Sequence, residues 1–339
     1  MPIHKISGLT VNVCGDVHLG RTFRTGVPLH RLGDREEMVW EDFEQQLNVE
    51  ADLTIIMGDL FDKFVVPPEV VLRAYGLLAR YASVGQPIYI LRGNHDASRD
   101  SQKASSFDLL KALLEGGDAH GTPAVTVVET RQFCGPKGRL LLLCGWSPFL
   151  SAADTVSGAD SNAVGRITAA FGHWDVTQHG QDDHNLIPLQ QLAELGVKRV
   201  FTGHVHKADS FTRNGIEVTV VGSMQPYAHG EEPEGSALYM TMMPAEADIC
   251  LNSNEAAFCS TNVRILLADG EEYTREFDCL SKTFKRVPKI DADTGEPVQA
   301  GYDTFDLKTM ITTTLSEFGV SETLSARINS KLLEKMNHA

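Results

Sequence analysis

Short apolar runs recur through the first 240 positions. They are separated by stretches in which apolar residues fall three and four apart, the alternation expected of strands and amphipathic helices in an α/β domain. The runs at 9–14, 53–57, 88–91, 140–144, 200–202 and 218–221 are mostly apolar, so they predict buried strands. Helices are predicted over 38–49 and 69–81; Pro67 and Pro68 suit the opening of the second, and Gly85 follows its end. Four of the strands run into turns that join glycine to metal-ligating side chains: Gly15-Asp16-Val17-His18, Gly58-Asp59-Leu60-Phe61-Asp62, Gly93-Asn94-His95-Asp96 and Gly203-His204-Val205-His206. In an open α/β sheet the crevice lies beyond the carboxyl ends of the strands, which would bring these turns together.

Beyond residue 240 the pattern changes to acidic loops (one already at 231–234, another at 269–272) with a strand candidate at 263–267. A chain of 339 residues suits one large domain with a smaller appendage. The division expected is 1–240 as the main domain, 241–302 as a small second domain and 303–339 as a helical hairpin. Leu307, Ile311, Leu315 and Phe318 stripe its first helix, Gly319 can end it, and Ser321 can cap a second helix striped by Leu324, Ile328, Leu332 and Met336. Such stripes more often mark ordinary core packing than the docking of another chain.

With 42% hydrophobic and 22% charged residues, the composition is that of a globular enzyme rather than a disordered or fibrous chain. No apolar run approaches the roughly 20 residues that cross a bilayer, and positions 1–9 lack the basic and apolar regions of a signal peptide, so no membrane association and a cytoplasmic location are expected. The six cysteines show no CxxC spacing, and Cys14 and Cys144 sit inside apolar runs, which argues against both a zinc ribbon and a disulfide framework. The net charge of −15 bears on nucleic acid: with so acidic a chain, any grip on DNA must be local or shared with a partner.

A fifth element, Gly172-His173, joins the four turns. Together they offer carboxylates, imidazoles and an amide oxygen, donors that suit first-row divalent ions such as manganese or iron better than thiolate-loving metals. At an extended strand end, residues i and i+2 project to one side, so Asp16 with His18, and His204 with His206, can each aim two side chains into one cleft. Asp59 can bridge two ions through its two oxygens. A pair of ions about 4 Å apart can activate a water and clamp both the attacking and the leaving oxygen of a phosphoryl transfer. Any one of these turns alone is ordinary turn chemistry; the ordered set of five points to a site. His4, His30, His120, His179, His184, His229 and His338 fall outside it.

The set resembles the signature of the calcineurin-like metallophosphoesterase superfamily, DxH, GDxxD, GNH[DE], a lone GH and GHxH, over roughly residues 10 to 225. Within it the chain is similar to the Mre11/SbcD nucleases and their phage counterparts, through Asp16-Val17-His18-Leu19-Gly20, GDLFD followed by Pro67-Pro68-Glu69, His173-Trp174-Asp175 and Val221-Gly222-Ser223-Met224-Gln225-Pro226. The resemblance implies an α/β fold: a sandwich of two sheets flanked by helices, with a small C-terminal capping domain and a terminal helical hairpin that docks on a Rad50/SbcC-type ATPase. It implies two divalent metal ions, manganese being the expected one, held by Asp16, His18, Asp59 and His206 and by Asp59, Asn94, His173 and His204. His95 would protonate the leaving oxygen, Asp96 would orient its imidazole, and Asp62 would stand behind the ligands. The activity implied is 3′ to 5′ exonuclease and single-strand endonuclease cleavage of DNA by a homodimer. A phosphomonoesterase or cyclic-nucleotide phosphodiesterase would use the same ligands, and a scaffold without activity would be expected to have lost some of them.

Overall fold

The computed structural model describes residues 3–83, 85–98, 100, 102–117, 125–135, 140–158, 163–176, 184–233 and 236–288. The hairpin expected over 303–339 lies outside them. Two units are distinguished: Met1–Ile265 with Arg275–Phe284, and Leu266–Thr274 with Lys285–Ala339.

The first unit opens with β1 (Ile3–Ile6), β2 (Leu9–Cys14), α1 (Asp34–Leu47), β3 (Leu53–Ile56), α2 (Pro68–Ala82), β4 (Ile88–Leu91), α3 (Ser106–Gly117) and β5 (Val125–Val128). Its strands form one sheet in sequence order; β1 pairs antiparallel at the edge and the other pairings are parallel. A second sheet follows from β6 (Arg131–Cys134), β7 (Leu140–Cys144), β8 (Ile167–Gly172), β9 (Arg199–Thr202), β10 (Asp209–Arg213) and β11 (Ile216–Val220), in the order β10-β11-β9-β8-β7-β6, with helices α4 (Ala152–Ser157) and α5 (Leu189–Glu194). Here too the inner pairings are parallel and the edge strands β10 and β6 run antiparallel.

Side-chain alternation decides the layers. Val11, Val13, Leu53 and Ile55 of the first sheet pack with Leu141, Leu143, Ala169, Phe171 and Phe201 of the second, making a core between the sheets. The alternate residues face outward: Cys14, Ile56 and Ile90 meet Phe43 of α1, Leu78 of α2 and Leu110 of α3, while Leu142, Cys144 and Val200 meet Val156 of α4 and Leu192 of α5. Burial on both faces suits these mostly apolar strands, and the buried Asn12 of β2 is satisfied by the Gln46 carbonyl and Thr54 Oγ1. The fold is the mixed α/β arrangement of sheets flanked by helices that the sequence implied.

The chain then forms β12 (Tyr239–Met242), α6 (Pro244–Ser253), β13 (Asn262–Leu267) and β14 (Ser281–Arg286), a three-stranded sheet in which β12 and β13 are parallel across the α6 crossover. Both β13 and β14 run on into the second unit, where Arg286 donates to the carbonyls of Ala268 (2.8 Å) and Glu271 (2.6 Å), and Val287 N–H to Leu267 (2.9 Å).

Phe171 and Phe201 are fully buried and stacked between the sheets, with centroids 4.8 Å apart and planes 8° apart. Phe171→Ala is expected to cost roughly 3–5 kcal/mol, from lost transfer energy and an uncollapsed cavity. The denaturant midpoint should fall at constant m-value; a loss under about 1 kcal/mol, an average substitution, would show that the stack is not central to the core.

Candidate metal centre

The carboxyl ends of the parallel strands of both sheets deliver the five motifs to one place. Asp16 and His18 follow β2, Asp59 and Asp62 follow β3, Asn94, His95 and Asp96 follow β4, His173 follows β8, and His204 and His206 follow β9. Backbone bonds hold these ends together before any ion is considered. Asp16 forms a parallel bridge with Ser223, Met224 N–H donates to the Asp16 carbonyl at 2.9 Å, and Val17 and His18 N–H both donate to the Asp59 carbonyl, at 3.2 and 2.8 Å. Thr202 Oγ1 accepts from Trp174 N–H (3.0 Å) and donates to the Trp174 carbonyl (2.8 Å), fixing the loop that carries His173.

The local backbone is strained where the ligands sit. His18, Asp59 and His204 have φ of 52°, 45° and 71°, a left-handed conformation that costs of order 1–3 kcal/mol at a residue other than glycine. Glycine supplies the room: a Cβ on Gly58 (φ 116°) would strike the His173 ring, and one on Gly93 would strike the Asp59 carboxylate.

Two groups of donors result. In one, His18 Nε2 and His206 Nε2 are 3.0 Å apart and Asp16 joins them, with ligand atoms all within 4.8 Å of one another. In the other, Asn94 Oδ1 lies 2.8 Å from His173 Nε2 and 2.9 Å from His204 Nδ1, and those nitrogens are 3.2 Å apart. Asp59 Oδ2 stands between the groups, 3.4 Å from His173 Nε2 and 4.0 Å from His18 Nε2. All seven sequence-predicted ligands therefore meet, with Asp59 in the bridging position. His95 also comes within range of His18 and Asp59.

The outward nitrogens show why these rings suit cations. His173 Nδ1 donates to the Met57 carbonyl (3.0 Å), His204 Nε2 faces Asp175 Oδ1 (2.8 Å), and His206 Nδ1 faces Glu231 Oε1 (3.1 Å). An acceptor on the far nitrogen fixes the tautomer and leaves a lone pair on the near one, the arrangement of metal-bound histidines. His18 Nδ1 lies 3.6 Å from Asp62 Oδ1, a looser version of the same contact. Asp16 Oδ1 is buried without a hydrogen-bond partner, which suits an oxygen that serves a cation.

The expected role of Asp96 is corrected. Both of its oxygens accept backbone bonds, from Gly93 (2.9 Å), Phe61 (3.2 Å) and Leu60 (3.3 Å), so it clamps the Asp59 loop to the Asn94 loop. The His95 imidazole is held instead by the Asp62 carbonyl, at 2.5 Å from Nδ1. Adjacent residues on a tight turn point apart, which the motif alone does not reveal. Glu231, Asp175, Arg21 and Tyr227 were not foreseen as parts of the site. Arg21 Nη1 lies 3.5 Å from Asp62 Oδ1, and the Tyr227 hydroxyl donates to the Val17 carbonyl beside His18. Asp175, two positions after His173, and Arg21, three after His18, lay close enough in sequence to be found, whereas Glu231 and Tyr227 did not.

Electrostatics follow from burial. Desolvation pushes Asp16 up to about 7, against the pull of His173. Burial works the same way on Asp59, but His173, His18 and His95 hold its carboxyl below the usual range. Burial would lower His173, yet Asp59 and Asp16 raise it to about 10, whereas burial dominates at His18 and takes it to about 3. At neutral pH the metal-free centre thus stores protons on His173 and, in part, on Asp16. The His173 proton stabilises the metal-free fold fully below the unfolded value near 6.5, and that contribution is lost as pH rises toward about 10.

Divalent ions must displace those protons. Affinity is expected to rise with pH from about 6 to about 9, with proton release seen as a dependence of calorimetric enthalpy on buffer ionisation enthalpy; no such dependence would contradict the assignment. Gly93→Ala should weaken metal binding at least ~10-fold, because the added methyl displaces Asp59. Titration with manganese measures it, and unchanged affinity would show that Asp59 is not a ligand.

Residues 9–208 match the sequence profile of the calcineurin-like phosphoesterases. A 93-residue stretch is 31% identical to the DNA double-strand break repair protein Mre11 of Methanococcus maripaludis, covering 26% of this chain and 25% of that protein. The match thus spans about a quarter of the relative's length. The crystal structure of TT1561 of Thermus thermophilus aligns over 63% of this chain and 89% of its own, at 12% identity and a TM-score of 0.38. Among the described residues no helix is long and apolar enough to cross a membrane. With more than half of its length matched by the profile, and with the metal-ligating residues assembled as described, the chain belongs to the calcineurin-like phosphoesterase family, hydrolases of phosphoester bonds that use divalent metal ions.

Proposed function

We propose that the chain is a manganese-dependent DNA nuclease of the Mre11/SbcD type. It cleaves DNA ends as a 3′ to 5′ exonuclease and single strands as an endonuclease, working in the cytoplasm as a homodimer with a Rad50/SbcC-type ATPase. The observation that carries the hydrolytic reading is the pair of donor groups sharing Asp59 Oδ2. The Mre11-like stretch supports DNA as the substrate. The Leu19-Gly20 extension of the first motif, similar to that of the Mre11/SbcD nucleases, supports it as well; Leu19 bridges Phe61 in parallel and its carbonyl accepts from Asp62 N–H at 3.0 Å, which sets the height of the loop that bears Asp59.

Asp16, His18, Asp59 and His206 would hold one ion and Asp59, Asn94, His173 and His204 the other, supplying an activated water and drawing charge off the phosphate. The chain's own contribution to bond breaking is His95. Its Nδ1 is fixed by the Asp62 carbonyl, its backbone N–H donates to Asp59 Oδ1 at 2.9 Å, and its Nε2 lies 3.9 Å from Asp59 Oδ2 on a ring that is 41% exposed. That nitrogen is therefore the one placed within reach of an incoming ester, where it delivers a proton to the departing oxygen. Arg21 neutralises Asp62, which keeps a second negative charge from the phosphate's path.

The net charge of −15 favours a second reading, a phosphomonoesterase or cyclic-nucleotide phosphodiesterase on the same scaffold. Manganese-dependent release of nucleotides from a labelled duplex, measured beside hydrolysis of a small chromogenic phosphodiester, separates the two. The nuclease reading expects DNA cleavage; activity on the small ester alone, even with the ATPase present, would overturn it. His95→Ser should lower cleavage by on the order of 10² to 10⁴ while calorimetry still counts both ions, and loss of an ion from that variant would make His95 a ligand rather than the acid.

A further inference from the structure

Beside the metal centre lies a cavity of about 250 Å³ lined by Arg21, Arg24 and Arg264, with no aspartate or glutamate among its described lining residues. In a chain with 45 acidic and 30 basic residues this is a local reversal of sign. The guanidinium groups of Arg24 and Arg264 have no carboxylate or hydrogen-bond partner among the described residues. The polar groups of Ser281 and Asn262, also in the lining, are occupied: Ser281 Oγ donates to Asn262 Oδ1 at 2.8 Å and Asn262 Nδ2 to the Leu238 carbonyl at 3.0 Å. The arginines are thus charged donors open to a ligand, and they call for an anion.

Phe23, Tyr227 and Tyr239 supply flat apolar walls. Behind them the buried guanidinium of Arg35 lies 4.8 Å from the Phe23 centroid and 5.7 Å from that of Tyr239, and it donates to the Pro226 carbonyl at 2.7 Å, so the rings are held in place. Arginines free to take a phosphate beside preset aromatic surface for a base are the combination by which proteins hold single-stranded nucleic acid.

The cavity shares a wall with the metal centre. The Tyr227 ring lies 5.3 Å from that of His18 and 5.9 Å from that of His206. Arg21 sits 5.0 Å from the Tyr227 centroid on the cavity side and 3.5 Å from Asp62 Oδ1 on the metal side. We infer that the cavity is a nucleotide subsite: it takes one nucleotide of a single strand, the neighbour of the phosphate held at the metal centre, with Arg24 and Arg264 on its phosphate and Phe23 and Tyr239 against its base. This deepens the nuclease reading and rests on it. It also answers the acidity of the chain, since a grip of this kind is local.

The test uses the full chain in chelator, so that nothing is cleaved, with a labelled oligothymidylate followed by fluorescence anisotropy and a deoxynucleoside monophosphate as competitor. The Arg24→Ala/Arg264→Ala double variant should bind about 10-fold more weakly, with a salt slope flatter by about 0.7 for each phosphate contact removed. Arg24 is exposed, so Arg24→Ala alone decides the matter if the double variant fails to fold; it should show the flattened slope by itself. Binding of the strand by both variants as tightly as by the wild type would overturn the subsite, as would a wild type that binds neither probe or binds only the monophosphate. Duplex cleavage by the manganese-loaded wild type is scored separately, so a failed subsite and a failed nuclease reading are told apart.

Discussion

Asp59 is a carboxylate buried to 2% exposure whose side chain and backbone each serve several neighbours. Taking such a group out of water costs several kcal/mol unless partners replace the lost hydration. Here Oδ1 accepts the His95 N–H, Oδ2 faces His18, His95 and His173, and the carbonyl accepts two N–H groups from the end of β2. The left-handed φ of 45° is the conformation that lets one residue face both ways at once. The ends of β2, β3 and β4 and of β8 in the other sheet are thereby referred to a single side chain, and displacement of any one of them would strand a buried charge.

A ring of acceptors sits behind the ligands and is chemically uneven. The wholly buried His173 leans on a neutral carbonyl, while the more exposed His204 and His206 lean on the carboxylates of Asp175 and Glu231. A carboxylate makes the imidazole a better donor and holds its orientation, and it does so here where solvent would otherwise loosen the ring. Asp96 serves the same end by another route. Burial and the charge of Asp59 push its carboxyl up to about 7, yet three backbone N–H groups hold it in place, so its contribution is to loop position rather than to proton transfer.

The parts of this architecture that follow a local rule were legible in the sequence. Short, mostly apolar runs bounded by glycine turns located β2, β4 and β7 to the residue, and the Pro67-Pro68 pair marked α2. The predicted start of α1 came four residues late, since its first turn, Asp34-Arg35-Glu36-Glu37, is polar and favoured by the helix dipole rather than by an apolar stripe. β8 escaped because Ala169 and Ala170 carry little strand propensity, and α3 escaped although Ser105 and Asp108 cap its start reciprocally, a signal that was there to be used. At the site, the candidate ligands that the fold brings together were marked by spacing, whereas Glu231 lies in an acidic loop that reads as solvated surface. Its contact with His206 is made by the fold, 25 positions away, and no periodicity encodes it.

The two halves of the centre differ in charge, and that difference bears on how so acidic a protein receives a phosphate ester. Asp16 and Asp59 stand with the His18 and His206 pair, giving two negative charges when both are ionised. The His173 and His204 pair has only Asp59, shared, and the neutral amide of Asn94. Two divalent ions would bring four positive charges against those two, with Asp62, Asp175 and Glu231 standing behind the histidines, so the loaded site would be far less negative than the chain's net charge of −15 suggests. The carboxylates that make the protein repel a phosphodiester at long range are, within the centre, the groups that recruit the charge to bind it. At physiological salt the repulsion fades within about 8 Å, so an ester that reaches the cleft meets the local charges, and the Asn94 side, whose donors include only the shared Asp59 with Asp175 behind His204, would offer it the less compensated ion.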